Sequence, residues 1–228
     1  MKWSLVTVAL LATLAVPVVG SAAPVRPGGY FSGFIGANAT QDTNVSTTTF
    51  GPGGGTINDR VESDPGIYIG GTGGYDFGYV RLEGELSYRH AEMNVVNDKT
   101  NNVRYVNVDG RIGALAMMFN TFVNLRNDTP VTPYFGGGAG FAALHLSDTN
   151  GINSNTGVQT GLYQSDDDTV FAYQAGAGLE IALSRRISLD LGYRYFGTST
   201  AKFDKNFNKS TELILRSHNG AVGVRVKF

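Results

Sequence analysis

The chain has 228 residues, 31 glycines, no cysteine and a formal net charge of −1. This length suits one domain, and the lack of cysteine excludes a disulfide scaffold or a cysteine-ligated metal site. The near-neutral charge gives no sign of a nucleic-acid-binding surface. We therefore expect a single domain with no cofactor and no nucleic-acid partner.

The first residues are typical of a secretory signal peptide. Lys2 supplies a positive start, an apolar run follows it, and small residues surround a cleavage point near 21–23. The apolar run contains Pro17 and is shorter than the roughly 20 residues that a membrane helix needs. We predict that residues 1–22 are removed and that residues 23–228 form one exported domain.

Alternation with a period of two predicts eight strands in the exported part. They are residues 29–39, 66–75, 79–91, 105–125, 132–146, 169–183, a seventh beginning at Ile187, and 217–228. Long polar connections follow the first, third, fifth and seventh strands, and short turns follow the others. Barrels that cross a membrane sort their connections in this way.

The four long connections are residues 40–64, 92–104, 147–168 and 199–210. The first has little hydrophobicity and contains a glycine-rich segment at 51–55, so its composition predicts a mobile loop that forms no core.

Charged and apolar side chains occupy opposite faces of the third strand, where Arg81 and Glu83 alternate with Leu82 and Leu86. A lipid-facing arginine at the bilayer midplane costs about 2–4 kcal/mol, so the charged face is predicted to point into the barrel. The same reasoning gives a luminal row of Arg81, Glu83, Glu85, Arg89, Asp109, Arg111, Glu180, Asp190, Arg194, Arg225 and Lys227.

Acidic and basic residues are nearly balanced in this luminal row. Eight strands enclose a space that side chains can fill, so the row predicts a salt-bridge network, with an ion path as the alternative. Glu83 and Glu85 lie beside arginines, which favours the ionised form of both carboxylates. In the fourth strand the alternation blurs between Met117 and Asn120, where a β-bulge could reset the facing.

The fold class predicted from these patterns is all-β: an eight-stranded, antiparallel, up-and-down transmembrane β-barrel. Its last strand must pair with its first, because an open sheet edge is not tolerated in lipid. A soluble β-sandwich or lipocalin-like binder is the alternative. Aromatic residues near strand ends are predicted to form interfacial girdles: Tyr30, Phe77, Tyr79, Tyr134, Tyr193, Tyr195 and Phe228.

Residues 74–89, 132–142, 187–197 and 221–228 resemble the outer-membrane β-barrel superfamily of OmpA-like and opacity-type porins. The resemblance implies residence in the outer membrane and contact with its lipid. It also implies that the insertion machinery reads the last strand, with Phe228 as the signal. No peptidoglycan-binding domain follows the barrel, so we expect no anchoring to the cell wall.

One short motif suggests catalysis. Lipid A deacylases, which are also eight-stranded barrels, carry a His-x-Ser pair with a downstream carboxylate, and His145 and Ser147 resemble that pair. Asp148 follows the pair directly, the other nearby acids are at 166–168, and no glutamate stands at a comparable place on the next strand. We expect that the protein is not an enzyme. With only three histidines and no cysteine, the sequence gives no support for a metal site.

The size of the barrel also bears on function. Open aqueous channels belong to barrels of about 16–18 strands. We therefore expect a structural, surface-exposed barrel with an antigen- or adhesin-like role, whose long loops contact host or surface ligands. A small ion- or solute-conducting porin is the first alternative, and a lipid A-modifying enzyme is the second.

Overall fold

The computed structural model describes residues 27–203 and 209–228, so the predicted signal peptide at 1–22 lies outside the described residues. The described part is all-β, and none of it forms a helix long and apolar enough to cross a membrane. Its strands are β1 Gly28–Thr40, β2 Thr43–Thr49, β3 Thr56–Ser63, β4 Gly66–Asp76, β5 Val80–Asp98, β6 Val103–Asp109, β7 Arg111–Asn124, β8 Val131–Leu146, β9 Thr149–Asn153, β10 Gln159–Tyr163, β11 Asp166–Ala182, β12 Ile187–Thr198, β13 Ala201–Phe203, β14 Lys209–Leu213 and β15 Arg216–Lys227.

Eight of these strands form a closed antiparallel ring in the order β1, β4, β5, β7, β8, β11, β12 and β15. The ring closes because β15 pairs with β1, from Tyr30 opposite Lys227 to Thr40 opposite Ser217. Closure leaves no open edge in the ring, as a lipid environment requires. The predicted eight-stranded barrel is confirmed.

The outer wall of the ring is an apolar belt. On β15, Val222, Val224 and Val226 are 44%, 50% and 47% exposed, whereas Arg225 between them is buried. Phe31 and Ile35 also point outward on β1. The belt follows from the period-two pattern, which places one apolar side chain outward at every second residue.

The connections are sorted between the two ends of the barrel. Three short turns, at 77–79, 125–130 and 183–186, join β4 to β5, β7 to β8 and β11 to β12. We call this end the turn end, and the opposite end, which carries the long connections, the extension end.

The long connections are mostly strands, which corrects the prediction of loops at 40–64 and 92–104. Residues 40–64 hold β2 and β3, and β5 continues to Asp98 before β6 begins at Val103. Beyond the ring, the sheet runs β13, β14, β2, β3, β5, β6, β9 and β10. We call this sheet the extension.

The extension encloses an apolar core, which is the reason the mobile-loop prediction for 40–64 is wrong. A few apolar residues from each hairpin combine with the inner face of the upper ring, although no hairpin could bury them alone. This upper core comprises Val45, Val61, Ala91, Met93, Val96, Ile112, Ala114, Ala116, Met118, Ala142, Leu144, Leu146, Tyr163, Val170, Ala172, Phe196, Ala201, Phe203, Leu213 and Leu215.

The fourth predicted strand is divided and faces the other way. The ladder shifts between Val106 and Asp109, and Asn107 has a φ of 48°, so the facing is reset there and not near Met117. From Ile112 the register is unbroken to Val123 with β5 and to Asn124 with β8. The pattern blurred in sequence because both faces of β7 are apolar in its central part.

Candidate functional site

The barrel interior is the candidate site, because it gathers most of the predicted charged residues. The structure brings together Arg81, Glu83, Glu85, Arg89, Glu180, Asp190, Arg194, Arg225 and Lys227, all with side chains at most 13% exposed. We call this set the luminal network. It fills most of the lumen nearer the turn end, and Arg89 reaches the upper core, where its Cζ lies 3.9 Å from the ring centre of Phe196.

Asp109 and Arg111 do not belong to the luminal network, which corrects the predicted row. Both are exposed, and they lie beyond the facing reset, where Arg111 stands opposite Glu92 in the ladder. The inward positions of β7 carry Ile112 and Ala114 instead. Charge alone was a poor guide here, because water outside the barrel solvates these residues as well as a polar lumen would.

Arg81 is fully buried among aromatic rings. Its Cζ lies 4.4 Å from the ring centre of Tyr134, 5.0 Å from Phe122 and 5.9 Å from Tyr30. Its nearest acidic atom is a Glu83 oxygen, 3.4 Å from Nε. Cation–π contact gains strength where water is excluded, so the rings supply part of the stabilisation that hydrogen bonds would supply elsewhere.

Glu83 and Glu85 are held by donors from several strands. Arg194 donates to both carboxylates at 3.3 Å, while the hydroxyls of Tyr30 and Tyr68 donate to Glu83 at 2.6 Å and to Glu85 at 3.0 Å. Arg194 therefore contacts two nearby acids at once, and Arg81 and Arg89 supply further positive charge beside Glu83 and Glu85. This arrangement leaves neither carboxylate placed as a free general acid.

A second group of charges joins the last strand to its neighbours. Glu180 accepts from Arg225 and lies 2.9 Å from the Lys227 ammonium nitrogen, and Arg225 also donates to Asp190 at 2.6 Å. Because Glu180 is on β11 and Asp190 on β12, the inward charges of β15 connect three consecutive strands of the ring. Replacing one partner of such a group leaves an uncompensated buried charge.

Asp76 is a buried charged position that the sequence reasoning missed. It is fully buried and accepts from Lys227, Arg126 and Asn124 at 3.0, 3.0 and 3.2 Å, and from the backbone N–H of Gly78 at 2.8 Å. It thus joins β4, the β7–β8 turn and β15 at the turn end. Asp76 is four residues from inward-facing Thr72, so strand alternation could have predicted that it also faces inward. We assigned it to the adjacent turn instead.

Aromatic side chains divide between the two faces of the wall. Phe77, Tyr79, Tyr193 and Phe228 are 58%, 72%, 47% and 75% exposed on the outside, as expected for girdles. Tyr30 and Tyr134 are instead 1% and 2% exposed inside the lumen, which corrects their predicted place. Their hydroxyls donate to Glu83 and Asp190 at 2.6 Å each.

Little space remains around the luminal network. A cavity of about 20 Å³ lies beside Ser32, Thr72, Gly192 and Arg194, enough for about one water molecule. Gly138 on β8 faces Asn120 so closely that a Cβ there would come within 2.2 Å of the amide oxygen. The glycine-rich segment of β8 therefore makes room for crowded luminal side chains.

The extension holds a buried acid of its own. Asp59 is 8% exposed, accepts from the Tyr163 hydroxyl at 2.7 Å and faces Asp98 across the β3–β5 ladder. Burial raises the pKa of Asp59; the Tyr163 hydrogen bond lowers it in part, and the charge of Asp98 raises it further. Burial and the neighbouring Asp59 also raise the pKa of the Tyr163 hydroxyl.

The His-x-Ser motif is not assembled as a catalytic pair. His145 Nδ1 lies 2.8 Å from Asp167 on the exposed outer wall. Ser147 Oγ accepts from the backbone N–H of Arg111 at 2.8 Å and donates to the Asp148 carbonyl at 3.3 Å. Across residues 27–203 and 209–228, no group of histidines and acids is placed to hold a metal ion.

Phe228, the predicted insertion signal, lies at the turn end on the outer wall. Its backbone N–H donates to the Gly29 carbonyl at 3.1 Å, and its ring centre lies 5.7 Å from that of Phe31. The last residue is therefore attached to the first strand, beside the point of ring closure.

Comparison with known proteins agrees with this architecture. The chain is 27% identical over 213 residues to outer membrane protein PagN of Salmonella typhimurium strain LT2, with 86% of each chain covered. The solved structure of OprG from Pseudomonas aeruginosa aligns with a TM-score of 0.56 at 16% identity, covering 88% of this chain and 96% of OprG. Neisserial surface protein A aligns with a TM-score of 0.50 at 16% identity, covering 89% of this chain and 99% of the other.

A model of the outer membrane protein beta-barrel domain matches residues 6–228. With the closed ring and the apolar belt, this match places the protein in the outer membrane of a Gram-negative cell. The chain belongs to the outer membrane protein beta-barrel domain family.

Proposed function

We propose that this protein is a non-conducting barrel that displays its extension outside the cell for attachment to another surface or molecule. The observation that carries the proposal is the filling of the lumen along its length, by the luminal network in one half and the upper core in the other. Ions would have to displace a charged network and then an apolar layer. A filled bore leaves the projecting extension as the part available for function.

The length of the strands supports display. About 9–11 tilted residues cross the hydrocarbon layer, whereas β5 has 19 residues and β11 has 17. The turns at the other end are short, as periplasmic turns are in this class of barrel. The extension then projects into the external medium.

The outer face of the extension is rich in hydroxyl and amide groups. The Ser46 side chain forms a hydrogen bond with Asn58 at 2.9 Å, and the Thr48 side chain forms one with Thr56 at 3.0 Å. These groups are therefore ordered in the absence of a partner. An ordered polar face loses little side-chain entropy on binding. It suits a hydrated partner, such as a host-cell or bacterial surface, better than an apolar one.

The same proposal assigns no catalytic activity to the chain. Its support is the geometry at His145 and Ser147, where the serine hydroxyl hydrogen is directed to a backbone carbonyl and the histidine lies beside Asp167. We expect a Ser147→Ala variant to leave the lipid A of its host cells unchanged relative to wild type. Loss of a lipid A deacylation measured for the wild type would overturn this part of the proposal.

Attachment can be tested with variants of the extension tips. Residues 50–55, 99–102 and 154–157, which form the tips, would be replaced by Gly-Ser segments of the same length. We expect cells that express this variant to attach to cultured mammalian cells less than wild-type-expressing cells do, because the tips project farthest from the membrane.

The matched control replaces residues 127–129 in a short turn at the opposite end. We expect this control to attach like the wild type, and heat-modifiable gel migration would verify that both variants form barrels. Equal attachment by the tip variant and the wild type would contradict the proposal.

A further inference from the structure

A polar groove lies on the outer wall where β15 enters the extension. It has a volume of about 310 Å³, and its lining includes Gln41, Thr43, Asn44, Thr200, Glu212 and Arg216. We call it the rim groove. It lies beside the β1–β2 and β14–β15 connections, where the Gln41 backbone N–H donates to the Arg216 carbonyl at 2.9 Å.

The charges of the rim groove leave one cation available. Asp42 is paired with Arg60 at 2.6 Å, and Glu212 with Lys202 at 2.9 Å. Among the described residues, the Arg216 guanidinium makes neither a hydrogen bond nor an ion pair. Since both acids already have cations, an anion that enters the groove meets an uncompensated positive charge.

Further polar groups lie directly below Arg216 on the same outward face. His218 is two residues along β15, and its ring nitrogens lie 2.7 Å from the Gln41 amide and 2.6 Å from the Tyr193 hydroxyl. Tyr195 packs against it with ring centres 5.4 Å apart. Tyrosines in such a position belong to the aromatic girdle that barrels place at the lipid headgroups.

The height of the groove follows from the geometry of β15. Phe228 and His218 are ten residues apart on the outward face, and a strand rising about 3.3 Å per residue at a tilt near 45° covers about 23 Å in that interval. The apolar band of an outer-membrane barrel is about 25 Å tall. Arg216 therefore lies at the outer boundary of the hydrocarbon, at the level of the outer-leaflet headgroups.

We propose that the rim groove binds the anionic, phosphorylated headgroup of an outer-leaflet lipid, with Arg216 as the principal phosphate ligand and the Gln41 amide N–H that does not face His218 as a neutral donor. The guanidinium fork matches the geometry of phosphate oxygens. This site is independent of the proposed attachment function and uses the wall of the barrel, not its tips.

The opposite wall lacks this arrangement. There Arg111 stands across the ladder from Glu92, and His145 lies 2.8 Å from Asp167, so the positive groups have acidic neighbours on the same surface. Arg111 is exposed at the same end of the barrel, which makes it a matched control for Arg216.

The test measures lipid retention by native mass spectrometry on the protein in detergent. Wild type, Arg216→Gln and Arg111→Gln would each be titrated with bisphosphorylated lipid A, with phosphatidylcholine and with inorganic phosphate. We expect the wild type to retain lipid A in preference to phosphatidylcholine. The Arg216→Gln change should weaken lipid A binding about tenfold, near the lower end of what a hydrogen bond to a charged group contributes, and Arg111→Gln should not.

Three results would overturn the proposal. The first is equal lipid A binding by wild type and Arg216→Gln, and the second is equal retention of lipid A and phosphatidylcholine by the wild type. The third is Arg216-dependent binding of inorganic phosphate with no such dependence for lipid A, which would assign the groove to a free anion. Heat-modifiable migration would verify that both variants form barrels.

Discussion

The two halves of the lumen fill the same eight-stranded bore in different ways. Near the turn end, inward charges are neutralised in groups, with Arg194 shared by Glu83 and Glu85. Near the extension end, the bore is filled by apolar side chains such as Leu144 and Phe196. The first half depends on pairing between strands of the ring, whereas the second depends on packing that includes the extension.

This difference has an energetic consequence. A buried ion pair contributes little net stability compared with apolar residues of the same volume, but removal of one partner is expensive. An apolar core loses stability in proportion to the volume removed. The luminal network should therefore be the more sensitive half to a single change of charge, and the upper core to a single change of size.

The largest effect is expected for Glu180→Gln. Glu180 faces Arg225, Lys227 and Arg81. Each of these cations keeps one other acid, Asp190, Asp76 or Glu83, but neutralising Glu180 leaves the buried group with one positive charge that is no longer compensated. We expect the free energy of unfolding to fall by about 4 kcal/mol, measured by urea titration of the protein in lipid vesicles.

The matched control is Glu212→Gln, which breaks the exposed ion pair with Lys202. Exposed pairs contribute about 0–1 kcal/mol, so this variant should unfold near the wild-type midpoint. The prediction is contradicted if Glu180→Gln lowers the free energy of unfolding no more than Glu212→Gln does. In that case the buried ion pairs of Glu180 contribute no more than an exposed pair.

Leu144→Ala should have the next largest effect. Leu144 is 0% exposed in the upper core, and truncating a buried leucine in a packed core costs about 3 kcal/mol. Val158→Ala, at an extension position that is 59% exposed, is the control and should stay within about 0.5 kcal/mol of wild type. Equal urea midpoints for the two variants would mean that the upper core is not tightly packed.

The sequence predicts the two halves unequally. Arg81, Glu83 and Glu85 alternate with apolar residues within one strand, so their inward facing can be read locally. The upper core cannot be read in this way, because Val45 and Val61 each lie in a polar hairpin and become core residues only when they meet Leu213 or Tyr163 from distant segments.

The prediction that Asp109 and Arg111 face the lumen was wrong for a related reason. The reset depends on a backbone irregularity near Asn107, which has a positive φ, and no residue pattern marks it. Aromatic residues were similarly ambiguous: Tyr134 near a strand end fits a girdle by sequence, but its hydroxyl has a charged partner, Asp190, only inside the lumen.

A smaller effect is expected in the extension, whose stability should depend on pH. Burial raises the pKa of Asp59 in the folded extension, so the folded state binds more protons than the unfolded state between the ordinary aspartate pKa and the raised one. Stability of the extension should therefore increase as pH falls through this window and decrease as pH rises through the raised pKa.

Hydrogen exchange of the β3 and β10 amides, corrected for intrinsic rates, would measure this dependence. We expect the free energy of local opening to be larger at pH 5 than at pH 7.5 in the wild type, with a weaker dependence in Asp59→Asn. Nearby Asp98 and Lys209 are unchanged in that variant. A wild-type dependence of opposite sign, or one that Asp59→Asn fully retains, would contradict the assignment to Asp59.

Planar-bilayer recording of the purified protein tests the central claim, that both halves of the lumen are filled. The expected result is silence, or rare small events that disappear when Arg81 and Glu83 are neutralised together, because side chains occupy the bore of an eight-stranded barrel. Large, steady openings that pass sugar-sized solutes would contradict the account, because a continuous aqueous path cannot coexist with the luminal network and the upper core.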